Sequence, residues 1–150
     1  MAHGIIDRSV WVADSFQGLP PPDPSVPADS GDKHYTFCEL AISLEEVKAN
    51  FAKYGLLDEQ VKFLKGWFAD TLPTAPIGSL AVLRADGDMY KSTMDILTAL
   101  YPKVSSGGFV IIDDYGLAAC QQAVTDYRDR FGIVEPITTV DYTWAYWRKA

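Results

Sequence analysis

The sequence is short of the residues that staple or metallate many small proteins: among 150 positions there are two cysteines and two histidines. Two thiols, Cys38 and Cys120, are too few for a disulfide framework. Cys120 also falls in a helical apolar stripe, where a buried thiol is expected. Positive charge is scarce as well. Thirteen Lys and Arg face twenty Asp and Glu, for a net charge of −7. A phosphate backbone needs a positive face, so nucleic acid is not an expected partner. No run approaches the ~20 apolar residues of a membrane span. The opening Met1-Ala2-His3-Gly4 lacks the charged-then-apolar order of a secretory leader. No membrane partner is expected, and the default location is cytoplasmic. No internal repeat is visible. What remains is ordinary globular composition, 48% hydrophobic and 22% charged, with a single domain expected over residues 1–150.

Along the chain, apolar runs alternate with helical stripes. Arg8–Phe16 reads as a strand around Val10-Trp11-Val12-Ala13, of the continuous apolar kind buried on both faces. A proline-rich loop follows from Gly18 to Pro24, and the chain stays polar and irregular to about Cys38. A loop of that length suits a lid over substrate, and the segment from Pro20 to Cys38 is a candidate for substrate choice. His34 lies within it, with a surface position the alternative. Ser43 with Glu46 forms a capping box for a helix ending at Gly55. Further strands are expected at Val61–Leu64, Leu80–Ala85 and Phe109–Ile112. Helices are expected at Tyr90–Tyr101, with Tyr90, Met94, Leu97 and Tyr101 in register, and along Leu117, Cys120, Val124, Tyr127 and Phe131. Pro136–Val140 and Thr143–Arg148 suggest an antiparallel hairpin. Strands alternating with amphipathic helices mean an α/β fold with a parallel sheet.

Three of the four apolar strands end in acid: Asp14, then Asp86 with Asp88, then Asp113 with Asp114. Open parallel sheets bind ligands at the carboxyl ends of their strands. If the third and fourth strands are neighbours, as their short connection through one helix implies, Asp86, Asp113 and Asp114 converge. Crowded carboxylates repel and raise one another's pKa. A hard cation relieves that cost, and an oxygen-only donor set favours Mg²⁺, Mn²⁺ or Ca²⁺ over zinc. The competing reading is that strand-terminal acids cap the helices that follow. Asp88, two residues past Asp86, can face the same cleft as a proton acceptor or can cap the helix from Tyr90. A free carboxylate of pKa ~3.9 is a poor base for an alcohol, so Asp88 needs a metal-acidified hydroxyl. Asp14 matches the acid that holds the ribose hydroxyls of a nucleoside cofactor. Trp67 and Phe68 are either a wall for an adenine ring or core residues.

These residues resemble the macrocin O-methyltransferase family, which methylates sugar hydroxyls of macrolide and related antibiotics. The resemblance runs through Val10–Pro22, Ser43–Gly55, Gly66–Pro73, Leu83–Tyr90 and Gly107–Gly116, in order and over nearly the whole chain. It implies a Rossmann-like methyltransferase sheet with a C-terminal antiparallel hairpin, S-adenosylmethionine as methyl donor, and a small-molecule glycoside as acceptor. It implies Mg²⁺ on Asp86, Asp113 and Asp114, Asp88 as general base, and a cofactor-binding set of Asp14, Ser15, Gly66 and Trp67.

One departure from the family pattern is large. No glycine-rich strand, turn and helix precedes Asp14, so the chain resembles the C-terminal part of the family and is expected to be a truncated form. In the family's sheet the absent first strand lies between the strands ending at Asp14 and Asp86. Those two strands are therefore expected to pair directly, or a second copy to fill the gap, making a homo-oligomer. Cofactor binding is expected to be weak while Mg²⁺ binding survives. The competing readings are a catalytically inactive remnant that folds and oligomerises, and a metal-dependent glycosyltransferase using Asp86-Gly87-Asp88 as its D-x-D.

Overall fold

A computed structural model of the chain describes residues 5–150. It forms two compact units, one of Met1–Pro21 with Lys33–Thr71 and one of Pro22–Asp32 with Leu72–Ala150. No helix among the described residues is long and apolar enough to cross a membrane.

The first unit is a βαβ arrangement. Strand β1 (Val10–Asp14) runs parallel to β2 (Val61–Lys65), in register from Val10 opposite Val61 to Asp14 opposite Lys65. Helix α1 (Leu44–Lys53) connects them. The Glu46 amide donates to Ser43 Oγ at 3.2 Å, which is the backbone half of the expected capping box. Gly55 follows the helix at φ +67°, a conformation glycine adopts without steric cost. Phe51 of α1 meets Phe63 of β2 edge-on at 5.7 Å, so one helical face lies against the ribbon. Strand β1 stops two residues before the expected Phe16. The Phe16 amide turns back to Asp14 Oδ1 at 2.5 Å and Phe16 takes φ +56°, which removes both residues from the ladder. A four-residue helix, α2 (Phe68–Thr71), closes this unit.

The second unit holds most of the buried apolar side chains. Its sheet has the order β3-β4-β6-β5, with β3 (Leu80–Ala85) parallel to β4 (Val104–Ile112). The antiparallel hairpin of β5 (Thr138–Thr139) and β6 (Ala145–Arg148) completes it. Helix α3 (Tyr90–Leu100) joins β3 to β4, and α4 (Ala118–Phe131) leads from β4 to the hairpin. Val110, Ile112, Leu97, Val124, Ala123 and Ala145 are fully buried. The buried residues of α3 are Ser92, Thr93, Ile96, Leu97 and Leu100, so the expected stripe holds at Leu97 and at Tyr101 just past the helix, but not at Tyr90 and Met94. Strand β4 begins five residues before the expected Phe109. Its Ser-Gly stretch carries no strand-like pattern, yet a Cβ on Gly108 would lie 3.0 Å from the Ala81 carbonyl oxygen. Only glycine permits that approach, and the register with β3 shifts there. Helix α4 ends at Gly132 (φ +63°), with the Ile133 amide donating back to the Arg128 carbonyl at 2.9 Å, a Schellman closure.

The expected direct pairing of the strands ending at Asp14 and Asp86 is not formed. Among the described residues β1 pairs with β2 and β3 with β4. Each of these pairings closes a local crossover through one helix.

The long irregular segment is built from short helical turns at Pro27–Asp29, His34–Thr36 and Cys38–Leu40. His34 stands edge-to-face with Phe37 at 5.5 Å. Asp29, only 1% exposed, reaches α3 and accepts the amides of Tyr90 at 2.6 Å and Lys91 at 3.0 Å. Two orphan amides and the positive end of the helix dipole are thereby met by one carboxylate. The alternative reading of Asp88, a cap for this helix, is not the one found: the N-cap position is Met89, without a side-chain bond, and the acid that accepts the first amides comes from sixty residues earlier. Asp29→Ala is expected to lower stability by about 1–2 kcal/mol, read as a lower urea midpoint at unchanged slope. An unaltered midpoint would show that the cap contributes nothing.

Candidate metal centre

The parallel pairing of β3 with β4 sets the site. Ala85 stands opposite Ile112, and the Asp113 amide donates to the Ala85 carbonyl at 2.9 Å, so both strands end at one level. The chain leaves β3 through Asp86-Gly87-Asp88 and leaves β4 through Asp113-Asp114. A Cβ on Gly87 would lie 3.1 Å from the Thr93 amide nitrogen, which keeps this turn close against α3. Asp88 takes φ +53°, in the left-handed region that aspartate tolerates better than most residues. Its amide donates to Asp114 Oδ2 at 3.1 Å, tying one strand exit to the other.

The result is a carboxylate cluster. Asp86, Asp88 and Asp114 each offer an oxygen within 4.8 Å of the others. Asp113 stands beside this trio rather than in it. Its Oδ2 accepts from Arg84 Nη2, while Arg84 Nη1 lies 2.9 Å from Asp86 Oδ2. Asp113 Oδ1 is buried and has no hydrogen-bond partner. Sequence reasoning placed Asp113 in the converging set and Asp88 next to it; the structure brings Asp88 in with Asp86 and Asp114. Arg84 was missed, because an arginine in an apolar strand reads as a solvated position until its neighbours are known.

The electrostatics follow the crowding. Burial is the main force pushing the Asp113 carboxyl up to about 6; Arg84 opposes it, and the charges of Asp86 and Asp114 add to it. Asp114 is also raised, chiefly by burial, against the hydrogen bond from the Asp88 amide and with the charge of Asp86. A buried acceptor without a donor, beside three converging carboxylates and with no imidazole or thiolate among them, fits a hard divalent cation. Cys120 lies deeper: burial pushes its thiol up to about 12, and the Thr93 hydroxyl donates to its sulfur at 3.5 Å. It is a core residue, inert as a nucleophile.

The expected cofactor-binding residues share another strand edge, in the first unit. Asp14 ends β1, and its carbonyl accepts the Gly66 amide at 2.9 Å just past β2. Gly66 has φ +143°, and a Cβ there would strike Thr71 Cγ2 at 2.5 Å. Ser15 is buried, donating to the Gly18 carbonyl at 2.8 Å and accepting the Gln17 amide at 3.0 Å, so its hydroxyl shapes the loop. Trp67 is 36% exposed and Phe68 half-buried, which places the tryptophan at the surface rather than in the core.

A βαβ sheet carrying an antiparallel C-terminal hairpin, with acids at its parallel strand ends, is the build of a Rossmann-like methyltransferase. The chain belongs to the macrocin O-methyltransferase family: the family model described as Macrocin-O-methyltransferase (TylF) matches residues 1–149. It is 56% identical, over 98% of its length, to the 8-demethyl-8-(2,3-dimethoxy-alpha-L-rhamnosyl)-tetracenomycin-C 4'-O-methyltransferase of Streptomyces olivaceus. It is 55% identical, over 99% of its length, to the demethyldecarbamoylnovobiocin O-methyltransferase of Streptomyces niveus. The chain spans 57% and 58% of those two relatives. Among solved structures, the O-methyltransferase NovP superposes with a TM-score of 0.96 at 53% identity, covering 99% of this chain and 63% of that one. The family matched is one of O-methyltransferases, not of D-x-D glycosyltransferases.

The raised Asp113 gives a pH signature for the metal-free protein. Its folded-state pKa, about 6, exceeds the ordinary 3.8, so between those values the folded state holds the extra proton. Stability from this group is therefore greatest below the unfolded pKa and is lost as pH rises through about 6. Asp113→Asn is expected to melt higher than the parent at pH 7.5 without metal, with the gap closing towards pH 4.5. A gap that does not change with pH would contradict the assignment.

Proposed function

We propose that this sequence carries the metal-holding and proton-accepting part of an O-methyltransferase acting on a sugar hydroxyl of a macrolide-like natural product. The observation that supports it most is the meeting of Asp86, Asp88 and Asp114 at the β3–β4 exit, with the orphaned Asp113 Oδ1 beside them. Asp86, Asp113 and Asp114 would hold Mg²⁺. When bound, the divalent ion would orient and acidify the acceptor hydroxyl, and S-adenosylmethionine would supply the methyl group.

Within that scheme the chain's own residues have separate tasks. Asp88 accepts the hydroxyl proton as the oxygen becomes a nucleophile. Its left-handed backbone and its amide bond to Asp114 aim the carboxylate at the cluster instead of along α3. Asp14, Ser15, Gly66 and Trp67 form the nucleoside-binding edge: Asp14 for the ribose hydroxyls, Gly66 for close backbone approach, Trp67 for the adenine face and Ser15 for the loop's shape. The segment from Pro20 to Cys38 contributes to acceptor choice. Self-association belongs to the same reading, because among the described residues β1 and β3 each have a strand on one side only. Light scattering is expected to report a species larger than one chain.

Mn²⁺ titration separates the roles. Asp86→Asn and Asp114→Asn are expected to weaken Mn²⁺ binding at least about tenfold, since each removes a charged ligand. Asp88→Asn is expected to retain binding but to lower methyl transfer about 10²–10⁴-fold in an assay with S-adenosylmethionine and a rhamnosylated acceptor. Loss of Mn²⁺ binding in the Asp88 variant would make that residue a ligand and remove its role as base.

A further inference from the structure

The acidic cluster contains its own cation. Arg84 sits two residues before Asp86 on β3, with its side chain about half exposed, and its guanidinium forks between Asp86 and Asp113. The ring of Trp144, just before the C-terminal strand, has its centroid 5.5 Å from the guanidinium carbon. The turn that presents Trp144 is braced by Asp141, whose Oδ1 accepts the amides of Thr143 at 2.7 Å and Trp144 at 2.9 Å. Its carbonyls are engaged as well, Thr143 accepting from the Gly116 amide at 3.1 Å and Trp144 from the Val140 amide at 2.9 Å. Arg84 therefore lies between two strand exits and the C-terminal hairpin.

Resting on the metal reading above, we infer that Arg84 is a resident counter-cation that holds the ligand set in place before the divalent ion arrives and competes with that ion for it. Asp86, Asp88 and Asp114, with oxygens within 4.8 Å of one another and Asp113 beside them, repel in a partly buried site. Arg84 offsets one charge and fixes two of the carboxylates, Asp86 and Asp113, by directed hydrogen bonds. The same contacts oppose metal binding. A guanidinium beside a dication is repelled by it, and each carboxylate oxygen given to the ion is withdrawn from Arg84. Asp113 shows the consequence: one oxygen is held by Arg84 and the other is buried without a partner, facing no donor of the protein. Arg84 is a positioning residue that sets how tightly the site takes its ion and keeps the metal-free chain folded.

The test uses Mn²⁺ alone, followed by calorimetry or by the electron-spin signal of the free ion, on the parent chain and on R84Q, R84K and D86N. R84Q is expected to bind Mn²⁺ about tenfold tighter than the parent, with R84K, which keeps the charge but not the fork, between them. Without metal R84Q is expected to melt below the parent, and saturating Mn²⁺ is expected to close that gap. A purely structural ion pair would lower the melting temperature equally with and without Mn²⁺ and would not tighten binding. Folded R84Q with unchanged or weaker Mn²⁺ affinity overturns the inference. If metal-free R84Q is unfolded, refolding by Mn²⁺ that the R84Q/D86N double variant does not show supports it, and failure to refold overturns it. Absence of saturable, D86N-sensitive binding in the parent chain is a different outcome: it removes the metal reading itself, and the role of Arg84 with it.

Discussion

Repulsion among Asp86, Asp88, Asp113 and Asp114 is the constraint around which the second unit is arranged. Parallel pairing of β3 with β4 places the two strand exits side by side, and nothing in the hydrophobic core requires acids there. The chain offsets the repulsion with Arg84 on two of the carboxylates and with the Asp88 amide on a third. Burial still leaves Asp113 and Asp114 above the ordinary carboxylate range.

Backbone geometry serves the same end. Asp88 occupies a left-handed conformation between Gly87, which packs on α3, and Met89, which is buried. Strain of this kind persists only where the surroundings determine it. The surroundings here include Asp29, which anchors the residues after Asp88 by accepting the first amides of α3. With that helix end satisfied from elsewhere, the exit from β3 can be shaped for carboxylate placement.

The relatives add a proportion as well as a family. The chain matches just over half of each curated relative at more than 50% identity, and the match runs end to end through both units. The nucleoside-edge residues belong to the first unit and the carboxylates to the second. Each unit has a closed βαβ ladder of its own, so each site can be ordered by contacts within its unit.

Much of this was legible from the residues. Periodicity located every major strand and helix. The acid endings of Leu80–Ala85 and Phe109–Ile112 followed from the rule that parallel strands present their carboxyl ends to one rim, and the C-terminal hairpin from its alternation. What escaped was whatever depends on distant partners. The Ser-Gly start of β4 is a strand because Gly108 lets the Ala81 carbonyl approach, which no local pattern records. Nothing local marks Asp29 as the acid that accepts the first amides of α3. Nothing local marks Arg84 as the partner of two aspartates and Trp144. Sequence alone determined which groups could carry the chemistry, since residue type fixes charge, donor atoms and strand or helix preference. Tertiary structure decided which of them meet, because hydrogen bonds and Coulomb forces act over a few ångströms, and only folding brings residues thirty or sixty positions apart within that range.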